Sequence, residues 1–135
     1  MNKLLLLLLF VTFGCGRSED SQKSESDKFL RNLKSASSTI IAKEDLPNWL
    51  IVKINEIETL HSKDISIVKV QVFKGEWRKQ TIYFIHDTLQ SCVFCEVYYE
   101  DGEQVIWSND DISSDSFCTT SKNWELIYEF GEGIY

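Results

Sequence analysis

The sequence predicts an α+β fold: one main N-terminal helix packed on a curved antiparallel meander of four to five strands. Three observations carry this. Leu46, Leu50, Ile54, Ile57 and Leu60 recur at spacings of four, four, three and three, the period of a one-sided helix. From Val68 the period changes to two, with Val68, Val70 and Val72 alternating with Lys69 and Gln71. Asp101-Gly102 stands between two aromatic and β-branched runs, as a two-residue hairpin turn would.

The chain opens on a targeting segment. Lys3 supplies a positive charge, and residues 4–13 form a run of ten that is apolar except for Thr12. Ten residues match a signal-peptide core and are too few to span a bilayer core of ~30 Å. Thr12-Phe13-Gly14-Cys15 follows. A small residue before a cysteine at the end of such a run resembles the lipobox of bacterial lipoproteins, although Phe13 is bulkier than the usual occupant. The resemblance implies residues 1–14 as signal peptide, and Cys15 as the mature N-terminus, carrying acyl chains that hold the protein on the membrane. The competing assignment is an ordinary signal cut nearby, leaving Cys15 a stray thiol.

Residues 15–38 read as the lipidated cysteine and a polar tether, because a Ser-, Glu- and Asp-rich run buries too little apolar surface to offset its ordering entropy. Phe29, Leu30 and Leu33 mark a short helix over residues 27–34. Ser18-Glu19-Asp20 resembles an acidic export signal of Bacteroidota lipoproteins and reads equally as a solvated linker. The remaining residues, 39–135, form a single domain. Asp45 is placed to cap the main helix and Pro47 to open it, giving a helix over residues 47–61.

Strands are expected at residues 68–73, 80–86, 93–99, 103–108 and 123–130. Gly75 marks a connection over residues 74–79, and residues 109–121 read as a long polar loop. Trp124, Leu126, Tyr128 and Phe130 stand in phase on the last strand. Tyr83-Phe84 and Tyr98-Tyr99 put aromatics on both strand faces. Either the sheet curls, or its second face meets something else, and an exposed apolar patch would mark an interaction surface.

Composition excludes one class of partner. The chain has 14 Lys+Arg against 21 Asp+Glu, a formal charge of −7. Such a surface repels phosphate backbones, so nucleic acid is not an expected partner. It also gains nothing from anionic headgroups, which leaves the acyl chains as the membrane contact. The expected location is the bacterial cell envelope, lipid-anchored at the outer membrane. Oligomeric state is not encoded in any pattern here.

Leu46-Pro47-Asn48-Trp49-Leu50, Ile82-Tyr83-Phe84-Ile85 and Phe94-Cys95-Glu96-Val97-Tyr98 with Gly102, followed by Cys118, together resemble a family of small Bacteroidota lipoproteins of unknown function. The likeness spans roughly residues 46–118. It departs at Gln90 and Ser91, where the family carries a cysteine pair, and in the late loop, which lacks glycine. The resemblance implies a location and brings no activity with it.

The remaining constellations are sparse. Cys92-Val93-Phe94-Cys95 has redox or zinc spacing, and Cys92, Cys95, Cys118 and His86 would make four zinc ligands. Exported proteins, however, meet an oxidising compartment in which structural disulfides are the ordinary fate of cysteines. With Cys15 acylated, one pair closes among the remaining three. Cys92 and Cys95 leave opposite strand faces, so Cys118 takes one of them, and Cys92, at the start of the strand, is the preferred partner. Glu100, Asp101, Glu103, Asp110, Asp111 and Asp115 match no calcium-loop spacing and read as solvated. Neither His61 nor His86 has a serine or cysteine at a recognisable catalytic spacing. No cofactor or metal is implied. Trp77, Trp107, Tyr83 and Tyr98 are the candidates for an exposed binding face, against the alternative that they are core. The sequence therefore favours a binding or inhibitory module for a protein or glycan. The alternative is a small hydrolase or a thiol- or metal-dependent enzyme of the envelope.

Overall fold

The structure, a computed structural model, describes residues 19–61, 69–88, 96–107 and 114–131. In chain order the elements are α1 (Glu19–Leu33), β1 (Ser37–Ser38), a 3-10 turn (Lys43–Asp45), α2 (Asn48–Leu60), β2 (Val70–Trp77), β3 (Gln80–Asp87), β4 (Val97–Tyr99), α3 (Ser114–Thr120) and β5 (Lys122–Phe130). The class is α+β, as expected. The sheet order is β1-β5-β2-β3-β4. The meander holds for β2-β3-β4, but β5 crosses back to pair antiparallel with β2, and β1 joins β5 in parallel. An all-antiparallel meander is thus corrected to a mixed sheet.

The arrangement follows from which strands are apolar on both sides. In β3, Ile82 and Phe84 face one way and Tyr83 and Ile85 the other, and all four are buried. Val70 and Val72 of β2 likewise oppose Phe73 and Trp77. Strands of this kind belong in the middle of a sheet covered on both faces. Short β1 and β4 take the edges, where few backbone groups are left unpaired.

Two separate cores result. On one face α2 and its lead-in supply Leu46, Leu50 and Ile54 against Val70, Val72, Tyr83, Ile85, Tyr98 and Ile127. On the other, Phe29 and Leu33 of α1 and Phe117 of α3 pack on Phe73, Trp77, Ile82, Phe84, Val97 and Val105. Phe117 is at the centre of an aromatic cluster, with ring centroids 5.4 Å from Phe29, 5.6 Å from Trp77, 5.4 Å from Trp107 and 5.7 Å from Trp124. Each such side chain contributes roughly 1.5–3 kcal/mol on burial. The aromatics on both strand phases are therefore accounted for inside the chain.

Several local expectations are corrected. The first helix starts at Glu19, not near residue 27, and takes in part of the expected tether. Asp45 lies in the 3-10 turn and does not cap α2. The N-cap is Pro47, whose carbonyl accepts from Leu50 and Ile51 N–H. Gly75 lies inside β2, and the β2–β3 turn is instead Arg78-Lys79, both with positive φ (51° and 63°). That is the backbone of a two-residue hairpin, here made without glycine or asparagine.

At Asp101-Gly102 only Gly102 has positive φ, 89°. Tyr99 N–H donates to Glu103 O at 2.9 Å, so the loop has three residues, not two. Beyond it the expected fourth strand is reduced to a single bridge, Tyr98 to Gln104, and a bond from Val105 N–H to Val97 O. The loop expected over residues 109–121 contains α3. In β5 the register against β2 slips, with Val72 opposite Tyr128 but Phe73 opposite Leu126. The extra residue, Ile127, is a β-bulge. It puts Trp124 and Leu126 on the α1/α3 core and Tyr128 and Phe130 on the α2 core, so the four residues are not in phase. A second slip leaves Asn123 at φ 57°.

Candidate functional site

One cleft combines residues from four distant parts of the chain. It lies between the C-terminal half of α1 and one end of the sheet, with a volume of about 760 Å³, inside the ~300–1,000 Å³ range of small-molecule sites. Leu30, Leu33, Ala36, Phe73 and Leu126 make an apolar lining. The polar lining includes Arg31, Lys34, Lys69 and His86, with one carboxylate, Asp27. Phe29 and Leu33 seat α1 on the core, which leaves Leu30, Arg31 and Lys34 at the cleft.

The sheet end is locked by hydrogen bonds. Lys69 N–H donates to Thr88 Oγ1 at 3.1 Å, and Thr88 N–H returns a bond to Lys69 O at 3.2 Å. Lys69 Nζ pairs with Glu129 at 3.0 Å, and Gln71 Nε2 donates to the same carboxylate at 2.8 Å. His86 is half-buried, its ring centroid 5.9 Å from that of Phe84. Burial holds its pKa below the ordinary imidazole value and the nearby Lys34 pushes the same way, while Asp87 opposes them. The imidazole is therefore neutral at pH 7, a hydrogen-bonding group without charge.

His61 belongs to a different arrangement. It caps α2, its N–H donating to Ile57 O at 3.1 Å, and its ring meets buried Asp87 at 2.9 Å. A carboxylate-oriented imidazole is one half of an acid–base unit. Here it ties the end of α2 to the end of β3, on the sheet face opposite His86. Glu58 is a second tie. Its carboxylate accepts from Tyr128 Oη at 2.8 Å and from Lys43 Nζ at 2.6 Å. Burial and this bond push the Tyr128 phenol up to about 12. Tyr98, bonded to Glu96, is also shifted up, first by burial.

No protein-family model, curated protein or solved structure matches the chain.

The expected binding face is corrected. Trp77 is 1 % exposed, and Tyr83 and Tyr98 are buried in the α2 core. Trp77 also donates from Nε1 to Thr120 Oγ1 at 3.0 Å, joining β2 to α3. Trp107 is half-buried, its ring 5.8 Å from that of Trp77. These residues form no exposed stacking platform, because each phase of the sheet is occupied by a helix. Trp49 has a distinct role: its ring covers Gly102, and its Nε1 donates to Glu100 O at 3.0 Å, clamping the hairpin loop onto α2.

Cys15, Cys92 and Cys95 lie outside the described residues, as do Asp110 and Asp111. Cys118 is on α3, half-buried against the aromatic core. Among the described residues, no group of three His, Cys, Asp or Glu side chains is placed to hold a metal ion, and no helix is long and apolar enough to cross a membrane.

Sequence reasoning noticed His86 only as a possible zinc ligand beside Cys92, Cys95 and Cys118. It missed Arg31, Lys34 and Lys69, which read as ordinary solvated charges. The available signal was their position: Arg31 and Lys34 stand beside Leu30 and Leu33 at the C-terminal end of the helix.

Proposed function

We propose that this chain is a lipid-anchored protein of the bacterial cell envelope that works by binding, with the α1 cleft as its ligand site. The observation that carries the reading is the cleft itself, an apolar lining with cationic side chains at its mouth, in a chain whose formal charge is −7. With Trp77, Tyr83 and Tyr98 in the core, a glycan-stacking face loses its support, and a small ligand is favoured over a large one. The anchoring rests on the apolar run ending in Gly14-Cys15 and on the likeness to Bacteroidota lipoproteins.

Two experiments test this. Metabolic labelling with a fatty-acid analogue should mark the wild type and miss Cys15→Ala; equal labelling of the two would remove the anchor. For the cleft, the anionic apolar dye anilinonaphthalene sulfonate should bind the folded chain at one site. Leu30→Trp, which fills the cleft from a half-exposed position, should reduce that binding at least tenfold while the melting temperature holds. Dye binding that ignores Leu30→Trp would move the site elsewhere.

A further inference from the structure

The cleft's charge, its lining and its distance from the expected anchor point to one class of ligand. We propose that the cleft accepts a single-chain anionic amphiphile from the adjoining bilayer, a long-chain carboxylate whose tail lies on Leu30, Phe73 and Leu126 and whose head meets Lys34 and His86.

The proposal rests on the binding role and anchor proposed above and adds the ligand class. The charge comparison is local. Lys69 is answered by Glu129, and Asp27 offsets one further cation, so the mouth keeps an excess of one positive charge while the whole chain is strongly negative. An acidic protein repels an anion everywhere except where it spends cations, and here two of them, Arg31 and Lys34, border an apolar surface. Lys34 lies close enough to His86 to act on its charge. A carboxylate beside Lys34 would thus have an ammonium and a neutral imidazole within one site, and a charged donor makes the stronger kind of hydrogen bond. The tail is needed as well, since a bare anion would gain nothing from five apolar lining residues.

Distance supports the bilayer as source. Only residues 16–18 separate Cys15 from α1, and the four steps from Cys15 to Glu19 reach at most ~14 Å when extended. From Glu19 to Asp27 the helix rises ~12 Å. With Cys15 acylated, the near end of the cleft cannot be further than about 26 Å from the membrane surface along this path. The long flexible tether that would have freed the domain from the membrane is replaced by helix.

Arg31 and Lys34 also complement the negative end of the α1 dipole, so the test separates binding from helix stability. The full mature chain carrying Cys15→Ala is loaded with the dye, which is displaced in turn with hexadecanoate, hexadecan-1-ol, acetate and inorganic phosphate. Hexadecanoate should displace it at a concentration at least tenfold below that of the alcohol, and acetate and phosphate should not compete in that range. Arg31→Gln/Lys34→Gln should erase the carboxylate preference and leave alcohol binding and the melting temperature nearly unchanged. Equal displacement by carboxylate and alcohol, displacement by acetate or phosphate as effective as by hexadecanoate, or displacement by neither long-chain compound would each overturn the ligand class. Dye binding that persists and remains sensitive to Leu30→Trp in those cases would leave the cleft itself standing as a site.

Discussion

Gly75 offers the sharpest test of the packing described above. It lies inside β2, and Trp124 of β5 packs directly over it. A Cβ at this position would stand 2.6, 2.7 and 2.8 Å from three ring carbons of Trp124, where ordinary contact begins at 3.4 Å. One partner must therefore retreat by most of an ångström. The ring has little room to do so. Its Nε1 donates to Ser121 Oγ at 3.2 Å, and its centroid is 5.6 Å from Phe29 and 5.7 Å from Phe117.

Overpacking of this kind costs about 1–3 kcal/mol. Gly75 is not in the positive-φ region, so an alanine also gains roughly 0.5–1 kcal/mol from the reduced freedom of the unfolded chain. With the ring held on three sides the cost falls in the upper part of that range, about 2–3 kcal/mol, so Gly75→Ala should lose about 1–2.5 kcal/mol net, a fall of roughly 4–15 °C in melting temperature for a domain of this size. Urea unfolding gives the free energy independently. In a Trp124→Leu background the clash is gone and the entropic gain remains, so the same Gly75→Ala change should be neutral or stabilising. A Gly75→Ala protein as stable as the wild type, or a cost of equal size in both backgrounds, would refute the account of this contact.

Further outcomes follow from other parts of the structure. Trp77→Ala should cost about 3–5 kcal/mol in chemical denaturation, since it empties the centre of the α1/α3 core; a nearly unchanged midpoint would return Trp77 to the surface. His86, held below its ordinary value of 6.5 mainly by burial, makes the unfolded chain the stronger proton acceptor. Stability should be unaffected by this group well above pH 6.5 and decline as pH falls from there towards the folded-state pKa; His86→Gln should flatten that decline, and identical pH profiles for the two proteins would contradict it. Non-reducing peptide mapping of protein from its native compartment should yield a linked peptide containing Cys92 and Cys118. A Cys95–Cys118 peptide would reverse the pairing, and three free thiols would end it.

Much of the local structure was legible because it is encoded locally. The period of Leu46, Leu50 and Ile54 announces α2, and residues 82–85, apolar on both phases, announce a strand with no solvent face. The sequence could not say what covered the second face. Phe117 and Cys118 stand among Ser, Asp and Thr, residues that favour caps and turns over helix interiors, so the segment read as loop. It becomes helix α3 because Phe117 fills the space between Phe29, Trp77 and Trp124, a contact with no local signature. The Ile127 bulge escaped for the same reason: two-residue periodicity assumes unbroken register, and register against β2 is a long-range property.

The cleft was the least legible feature. Leu30 and Lys34 at the end of α1, Lys69, His86 and Leu126 lie in distant parts of the chain and come together only when β5 crosses back to β2 and α1 lies over the sheet. Composition determined the charge of this protein, and hydrophobic period determined which segments would be buried. Which buried face met which helix, and therefore where a cationic mouth opened over an apolar lining, was decided by pairings between residues far apart in sequence. Each residue's own preferences constrain its nearest neighbours, and only the packed chain fixes the distant ones.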